Sequence, residues 1–293
     1  MTSQHQSQKS KGRKSLQEEI LIKLKYALKD INKQLNNSSF LQDINNSLKG
    51  FYLRNTNDNL FEKPIPGQKF DKRINAIRSS AAMIFNLLGQ KDITIDGVDY
   101  NAAKYERGYY AINDKIGRRH KAYLDAVFFS KDTKHMVAIE TKMLEWLDVP
   151  KKLMYAYLDK EKYIVGNDQI CQFIHFFKTL IKDDKDLKPQ TKVYDAIQMT
   201  IHILSLYNLS CSIEKPPKTI TLYNVVWNYK CDRYVIEEEE GENYVKKANE
   251  YFRPIFKKRE IEFNVEYCTF SAFKQKIKLS KERAVYLKRY DIE

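Results

Sequence analysis

The sequence has few cysteines and no long apolar run. Its four cysteines lie far apart, and no two of them have the close spacing that a zinc site needs. No apolar stretch approaches the roughly 20 residues that cross a bilayer, and the first ten residues, MTSQHQSQKS, lack the hydrophobic segment of a secretory signal. We therefore expect reduced, buried thiols, no membrane partner and a cytoplasmic location.

The chain carries a surplus of positive charge. It has 51 Lys and Arg against 38 Asp and Glu, which gives a formal net charge of +13. Such a charge attracts polyanions over long distances, so nucleic acid is the first class of partner to test. Basic proteins without a nucleic-acid role are nevertheless common, and the charge alone does not decide between these alternatives.

Composition along the chain predicts three segments. Residues 1–14 contain four Lys and Arg and no acid, which is typical of a disordered basic arm. Apolar residues then recur at helical spacing and are followed by an Asn-rich and Ser-rich stretch, so residues 15–66 are expected to form a helical N-terminal extension. A boundary near Gly67 leaves residues 67–293 for one large domain.

The main domain shows the pattern of an α/β fold. A helix should end at Gly89, since glycine commonly follows the last turn of a helix. Four strands are then predicted in succession, over residues 93–100, 104–112, 122–130 and 135–143. Later helical patterns cover residues 150–163, 169–181, 194–207 and 244–257 and a final basic helix, with strands at 219–229 and 261–270. The acidic run 237–240 is interpreted as a solvated turn or helix start without a role.

Two of the predicted strands carry charged residues that an apolar strand does not explain. Asp125 lies in the apolar segment YLDAVFFS, and an acid there needs a partner. On the next strand, side chains alternate, so Glu140 and Lys142 project to one side and Thr141 to the other. A hairpin centred between residues 132 and 133 would bring Asp125 opposite Glu140. Two carboxylates so placed can hold Mg²⁺ for phosphodiester hydrolysis.

These residues resemble a known family. The LDA of residues 124–126 followed by the IETK of residues 139–142 is similar to the D…(D/E)-x-K motif of the PD-(D/E)xK nucleases. The ordered set RSSAAMIFNLLG (78–89), YERG, LDA, IETK, a late helix bearing Gln198 and a terminal YLKRY resembles a group of bacterial restriction endonucleases of that superfamily. The resemblance implies a restriction-endonuclease-like α/β fold, in which helices flank a mixed central sheet, preceded by the helical extension.

The resemblance also implies roles for individual residues. Asp125 and Glu140 would bind Mg²⁺, for which Mn²⁺ can substitute, and the carbonyl of Thr141 would complete the metal shell. Lys142 would orient or activate the attacking water and stabilise charge. The Pro that often precedes the Asp is absent here, with Leu124 in its place, a departure that is frequent in the superfamily.

Two further polar residues have both a functional and a structural interpretation. Glu106 is the candidate for an additional upstream carboxylate, or else a surface acid paired with a neighbouring basic residue. Gln198 and His202 lie one helical turn apart on an apolar helix. Gln198 is expected either to hydrogen-bond a carboxylate, Lys142 or a phosphate, or to be a solvent-facing or satisfied core amide.

Basic residues near the predicted site are candidates for contacts with phosphates. Arg118, Arg119 and Lys121 precede the Asp125 strand and would form a phosphate-contacting loop or a solvated turn, and Arg78 lies on the early helix. We therefore expect a Mg²⁺-dependent DNA endonuclease of restriction or defence. The alternatives are a repair or RNA nuclease of the same fold and a catalytically silent DNA-binding protein. A homodimer would suit a double-strand cut, although the sequence identifies no dimer face.

Overall fold

The structure, a computed structural model, describes most of the chain from residue 80 onward. The described ranges are 80–89, 93–113, 119–147, 150–164, 166–183 and 185–292, with single positions between 16 and 30. The predicted basic arm and the boundary near Gly67 lie outside the described residues. The described positions between 16 and 30 are helical, and Ile20 and Leu24 are buried there.

A five-stranded mixed sheet forms the centre of the domain. The strands lie side by side in chain order: β3 (Lys104–Asn113), β4 (Arg119–Phe129), β5 (His135–Lys142), β6 (Thr219–Val226) and β7 (Glu262–Thr269). The pairs β3–β4 and β4–β5 are antiparallel, whereas β5–β6 and β6–β7 are parallel. Parallel neighbours need long crossover connections, and the helical segments after β5 and β6 supply them.

Helices flank both faces of this sheet, as the sequence predicts. One face packs against α2 (Ile170–Thr179), α3 (Ala196–Ser212) and much of α4 (Asp232–Lys257). The other packs against α1 (Ser80–Leu88), α5 (Phe270–Gln275), α6 (Lys281–Leu287) and the N-terminal positions Ile20 and Leu24. The fold is therefore a mixed α/β arrangement with apolar cores on both sides of the sheet.

The segment 93–100 is a hairpin and not the single strand that was predicted. Strands β1 (Ile93–Ile95) and β2 (Val98–Tyr100) pair with each other and form a separate two-stranded sheet. Asp96 and Gly97 connect them with φ angles of 47° and 81°. Both central residues of the two-residue turn thus have positive φ, which an Asp-Gly pair tolerates well.

Three helical predictions also need correction. The segment 150–163 contains two short 3₁₀ turns, Tyr155–Leu158 and Lys160–Lys162, because Asp159 between them is extended and accepts a hydrogen bond from the N–H of Glu161. The final helix is divided into α5 and α6. The acidic run 237–240 lies inside α4 and not at a turn or helix start, since α4 extends from Asp232 to Lys257.

The structure also bears on the cysteines and on membrane-spanning helices. The described cysteines are free thiols, but Cys171 is exposed and Cys268 alone is fully buried, so the prediction of buried thiols was wrong for Cys171. Within the described ranges, no helix has both the length and the apolar character needed to span a membrane.

Candidate active site

Strand β5 carries two of the predicted site residues, Glu140 and Lys142, near its C-terminal end. Glu140 and Lys142 lie two residues apart near the end of β5 and both contact α3, while Thr141 between them is buried. The Lys142 ammonium donates to Oε1 of Glu140 over 2.7 Å. The alternation expected from the sequence therefore places both charges on the α3 side.

Strand β4 brings Asp125 to the same place. The β4–β5 ladder pairs Phe129 with Met136 and ends at the pair Ala126 and Ile139, so the next position in register sets Asp125 beside Glu140. The ladder ends there because the N–H of Thr141 donates to Oδ2 of Asp125 over 2.6 Å. The hairpin register predicted from the sequence and the one in the structure agree.

Strand β3 contributes Glu106 to this edge of the site. Its neighbours Tyr105 and Arg107 pair with Ala126 and Leu124, so Glu106 lies across from Asp125. Glu106 has a φ of 48°, a left-handed conformation that costs a non-glycine residue on the order of 1–3 kcal/mol and is concentrated at functional sites. The interpretation as an ordinary surface acid fits poorly, because Glu106 is partly buried beside two other carboxyl groups.

Helix α3 covers these groups with Gln198. The side-chain amide donates to Oε1 of Glu140 over 2.7 Å, and its carbonyl accepts from the Lys142 ammonium over 2.6 Å. Gln198 is fixed at the start of α3 because its backbone N–H donates to Oδ1 of Asp195, the N-cap residue. Gln198 is half-buried and bridges the two charged residues of β5.

His202 and Asn224 complete the surroundings of Glu140. His202, one turn beyond Gln198, is buried, and its Nε2 lies 3.1 Å from Oε2 of Glu140 without the geometry of a hydrogen bond. Asn224, opposite Glu140 on β6, donates from its amide to the backbone carbonyl of Glu140 over 3.3 Å. Oε2 of Glu140 is therefore a buried oxygen without a hydrogen-bond partner among the described residues.

The carboxyl groups differ strongly in their acidity. Burial raises the pKa of Glu106 to about 7, with a further contribution from the charge of Glu140. Burial, Glu140 and Glu106 raise the pKa of Asp125 well above its usual range. Burial alone would raise the pKa of Glu140 as well, but Lys142 and His202 outweigh it and lower that pKa to about 2. Glu140 is thus the permanent anion of the cluster.

Lys142 is held in its charged form by acids on several elements. Burial alone would lower its pKa, but Glu140, Glu145 and Asp195 outweigh burial and raise the pKa above its usual range. The charged form is therefore strongly favoured, and the ammonium donates hydrogen bonds to Glu140 and Gln198.

The cluster has the charge and donor chemistry that suit a divalent cation. Among the described residues, Glu106, Asp125 and Glu140 lie close enough to affect one another's ionisation, and the Lys142 ammonium offsets the charge of Asp125 and Glu140. Burial is the main cause of the raised pKa values of Glu106 and Asp125, and the neighbouring carboxyl groups add to it. Oε2 of Glu140, which lies 3.1 Å from Nε2 of His202, is an oxygen that suits a divalent cation as a ligand. Within the described ranges, however, no three His, Cys, Asp or Glu side chains are already arranged as a metal-binding group.

The predicted phosphate-contacting residues are only partly described. Arg78 and Arg118 lie outside the described residues, and of Arg119 only the backbone is described, as the first residue of β4. Lys121 pairs with Tyr110 and its ammonium lies 5.2 Å from the centre of the Tyr110 ring. Arg119 and Lys121 therefore belong to a strand and not to the loop that was predicted, because pairing with β3 extends to Arg119.

Three acids near the site were missed by sequence reasoning. Glu145 accepts hydrogen bonds from the N–H groups of Met143 and Leu144 and from Ser80, so it fixes the chain directly after Lys142. Asp195 could have been found, because an Asp three residues before a Gln is the pattern of a capping box. Glu237 could not have been found, because the sequence does not show which of four consecutive glutamates is buried.

Comparisons of this chain with protein-family models, with curated proteins and with solved structures gave no match. The function of the site therefore has to be argued from its chemistry.

Proposed function

We propose that this chain is a metal-dependent endonuclease of the PD-(D/E)xK superfamily, with a restriction-endonuclease-like fold, that hydrolyses DNA in restriction or defence. One observation carries the proposal: the Lys142 ammonium is fixed between Glu140 and Gln198 where the carboxyl groups of Asp125 and Glu106 converge. A protein that only binds a polyanion has no use for three buried or half-buried acids at one place.

The residues can be given roles on this basis. Asp125 and Glu140, with Glu106 as a third oxygen donor, would hold Mg²⁺ or Mn²⁺. Such a cation supplies a Lewis acid for a phosphoryl oxygen and lowers the pKa of a water molecule. The N–H of Thr141 donates to Asp125, and the carbonyl of Thr141 lies on the same side of β5 as that N–H. The carbonyl oxygen therefore suits the expected role of a fourth metal ligand.

Lys142 would act on the substrate directly. Two of its three N–H groups are engaged by Glu140 and Gln198 in the described structure. The third can donate to the attacking water or to a phosphate oxygen as negative charge develops there. Gln198 keeps the ammonium aligned, and His202 supports Glu140 from the α3 side.

The central test measures cleavage of supercoiled plasmid DNA with Mg²⁺ or Mn²⁺. Asp125→Ala, Glu140→Ala and Lys142→Ala should each lower the rate by ~10²-fold or more, because each removes a ligand or a stabilising charge. Glu262→Ala, the same kind of change at the exposed start of β7, is the control and should cleave normally. In Ca²⁺, DNA binding without cleavage is expected.

The substrate panel separates the proposal from its alternatives. Single-stranded DNA, methylated DNA and RNA are assayed beside the plasmid, since a repair or RNA nuclease would share the same catalytic groups. A silent DNA-binding protein would bind DNA in a salt-dependent way without cutting any of these substrates. Normal cleavage by Glu140→Ala would show that the proposed site is wrong.

A further inference from the structure

Helix α4 holds the segment that leads into α3. Residues 191–195 form neither helix nor strand, so their backbone N–H groups need acceptors from elsewhere in the chain. Half-buried Glu240 accepts three of them. Its Oε1 accepts from the N–H of Lys192 over 2.9 Å, and its Oε2 accepts from the N–H groups of Val193 and Tyr194 over 2.8 and 2.9 Å. One carboxylate thus binds three consecutive backbone donors.

This contact separates Glu240 from the rest of the acidic run 237–240. Glu237 is buried and Glu239 is exposed, whereas the carboxylate of Glu240 reaches across to a segment more than 40 residues earlier in the chain. Consecutive N–H groups that converge on one anion form a concave site for it, and hydrogen bonds to a carboxylate are stronger than those to a neutral acceptor. Glu240 is therefore a firm link between α4 and the start of α3.

The segment held by Glu240 continues directly into the proposed site. Asp195, its last residue, accepts from the backbone N–H of Gln198 over 3.0 Å and so caps α3. The side chain of Gln198 donates to Glu140 over 2.7 Å and accepts from the Lys142 ammonium over 2.6 Å. Hydrogen bonds and the chain itself thus connect Glu240 to the charged residues of β5.

We propose that Glu240 is a positioning residue for the site: by holding residues 192–194, its carboxylate sets where α3 begins and so where the Gln198 amide meets Glu140 and Lys142. This inference rests on the proposed nuclease function, because a change in cleavage rate is expected only if Lys142 acts in cleavage. Glu240 acts through the backbone of the segment before α3.

Other contacts also hold this segment, so the protein should fold without the Glu240 carboxylate. The hydroxyl group of Thr191 donates to the carbonyl of Tyr194 over 2.6 Å, and the side chains of Val193 and Tyr194 are buried. Glu240→Ala removes the acceptor of three N–H groups and leaves these contacts in place. The expected result is a folded protein in which the first turn of α3 is displaced.

The first test measures the rate of plasmid cleavage at saturating DNA in Mg²⁺ and the affinity for DNA in Ca²⁺. Glu240→Ala should lower the rate by about tenfold with unchanged affinity, because small displacements of aligned groups are costly in rate. Glu240→Gln keeps one acceptor oxygen and should recover part of that loss. Glu239→Ala, at the exposed neighbouring position, is the control and should cleave normally. Wild-type rates in both Glu240 variants would overturn the inference.

A second contact between the same two helices distinguishes positioning from loosened packing. The hydroxyl groups of Thr200 on α3 and Tyr244 on α4 lie 2.9 Å apart. Tyr244→Phe removes this hydrogen bond and leaves the contacts of residues 192–194 in place, so it should keep the wild-type rate. A loss in Tyr244→Phe as large as that in Glu240→Ala would show that any weakening between α3 and α4 slows cleavage, and would overturn the positioning role.

A double variant tests whether Glu240 acts through Gln198. Because Gln198→Leu has already lost the aligned amide, adding Glu240→Ala to it should slow cleavage by less than about twofold. Independent effects would multiply instead. A further loss of about tenfold in the double variant would overturn the inference.

NMR of nitrogen-15-labelled protein gives a reading that needs no cleavage. The side-chain amide signal of Gln198, assigned by its absence from Gln198→Leu, should shift in Glu240→Ala and Glu240→Gln and stay in place in Glu239→Ala. An unmoved signal in the Glu240 variants would overturn the inference. If the wild type cleaves no substrate while the signal shifts as expected, the nuclease function fails and the positioning of Gln198 by Glu240 stands.

Hydrogen exchange of the wild type gives a result that does not depend on a variant folding. The backbone amides of residues 192–194 should exchange slowly with solvent, because each donates to the Glu240 carboxylate. Rapid exchange of all three would show that the carboxylate does not hold the segment and would overturn the inference.

Discussion

A single amide connects the two charged residues that matter most in the proposed site. Gln198 donates to Glu140 and accepts from Lys142, so both charged groups depend on it for orientation. Hydrogen bonds to charged groups contribute more than those between neutral groups, on the order of 1.5–3 kcal/mol. The effect of removing this amide should therefore appear in both stability and catalysis.

We expect Gln198→Leu to fold, to lose about 1–3 kcal/mol in free energy of unfolding and to cleave plasmid at least ~10-fold more slowly. The leucine keeps the bulk on α3 but leaves Oε1 of Glu140 and the Lys142 ammonium each one partner short. Urea unfolding and plasmid cleavage measure the two effects. Ser212→Ala, at the exposed end of the same helix, serves as the control. Wild-type cleavage by Gln198→Leu would rule out its positioning role.

Sequence reasoning worked for residues whose placement follows from strand alternation. Glu140 and Lys142 are two residues apart on one strand, so their common side follows from the period of a strand alone. The burial of Glu237 could not be predicted in this way, because four consecutive acids show no periodic pattern. Its burial is set by how α4 is rotated against β7 and the segment before α3, which only tertiary packing decides.

At the scale of elements, strand pairing was more predictable than helix extent. The turn between β4 and β5 fixes the register of this strand pair, and the register places Asp125 beside Glu140. The hairpin β1–β2 was missed although Asp96-Gly97 is a strong turn signal, because the flanking strands have only three residues each. The full length of α4 was missed because its first half is strongly charged and lacks a clear helical pattern of apolar residues. Contacts with β7 stabilise this helix.

Helix α4 approaches β7 closely at its one glycine, Gly241. A Cβ atom there would lie 2.4 Å from two ring carbons of Tyr267 and 3.1 Å from the ring of Tyr194. Alanine normally favours a helix over glycine by about 1 kcal/mol. Here that preference is opposed by a collision with two rings, one of which is fully buried.

Gly241→Ala should therefore lower the free energy of unfolding by about 1–3 kcal/mol, against the helix propensity. Urea unfolding monitored by circular dichroism measures the change. Glu242→Ala, at the neighbouring exposed position of α4, should be neutral or slightly stabilising. A Gly241→Ala protein more stable than the wild type would show that α4 does not pack against Tyr267 as the structure has it.

At the scale of the whole molecule, the charge distribution sets two opposing requirements. A net charge of +13 would attract the DNA that is proposed as the substrate, while the acids of the proposed site would repel it unless a cation intervenes. The layered α/β arrangement was predictable from the order of helical and strand patterns, since each pattern demands a covered apolar face. Which basic residues would meet phosphates in the proposed complex was not predictable, because the sequence shows the number of basic residues but not the surface that they share.

The basic arm offers a way to separate DNA binding from chemistry. Residues 1–14 carry four Lys and Arg and no acid, so they can neutralise phosphates but supply no carboxylate ligand for a metal. If all four contact DNA, deleting residues 1–14 should reduce the slope of log affinity against log salt by about 3.6, since each neutralised phosphate contributes ~0.9. The largest loss of affinity should occur at low salt.

Binding is measured in Ca²⁺ across a series of salt concentrations, and the cleavage rate at saturating DNA is measured in Mg²⁺. A full-length chain in which Lys9, Lys11, Arg13 and Lys14 are all replaced by Gln is the matched control, because it keeps the segment and removes only its charge. Both proteins should bind with the same reduced slope and keep the wild-type rate at saturation. An unchanged slope would show that the arm does not contact DNA, whereas a loss of rate at saturation would give residues 1–14 a part in the chemistry that their composition does not predict.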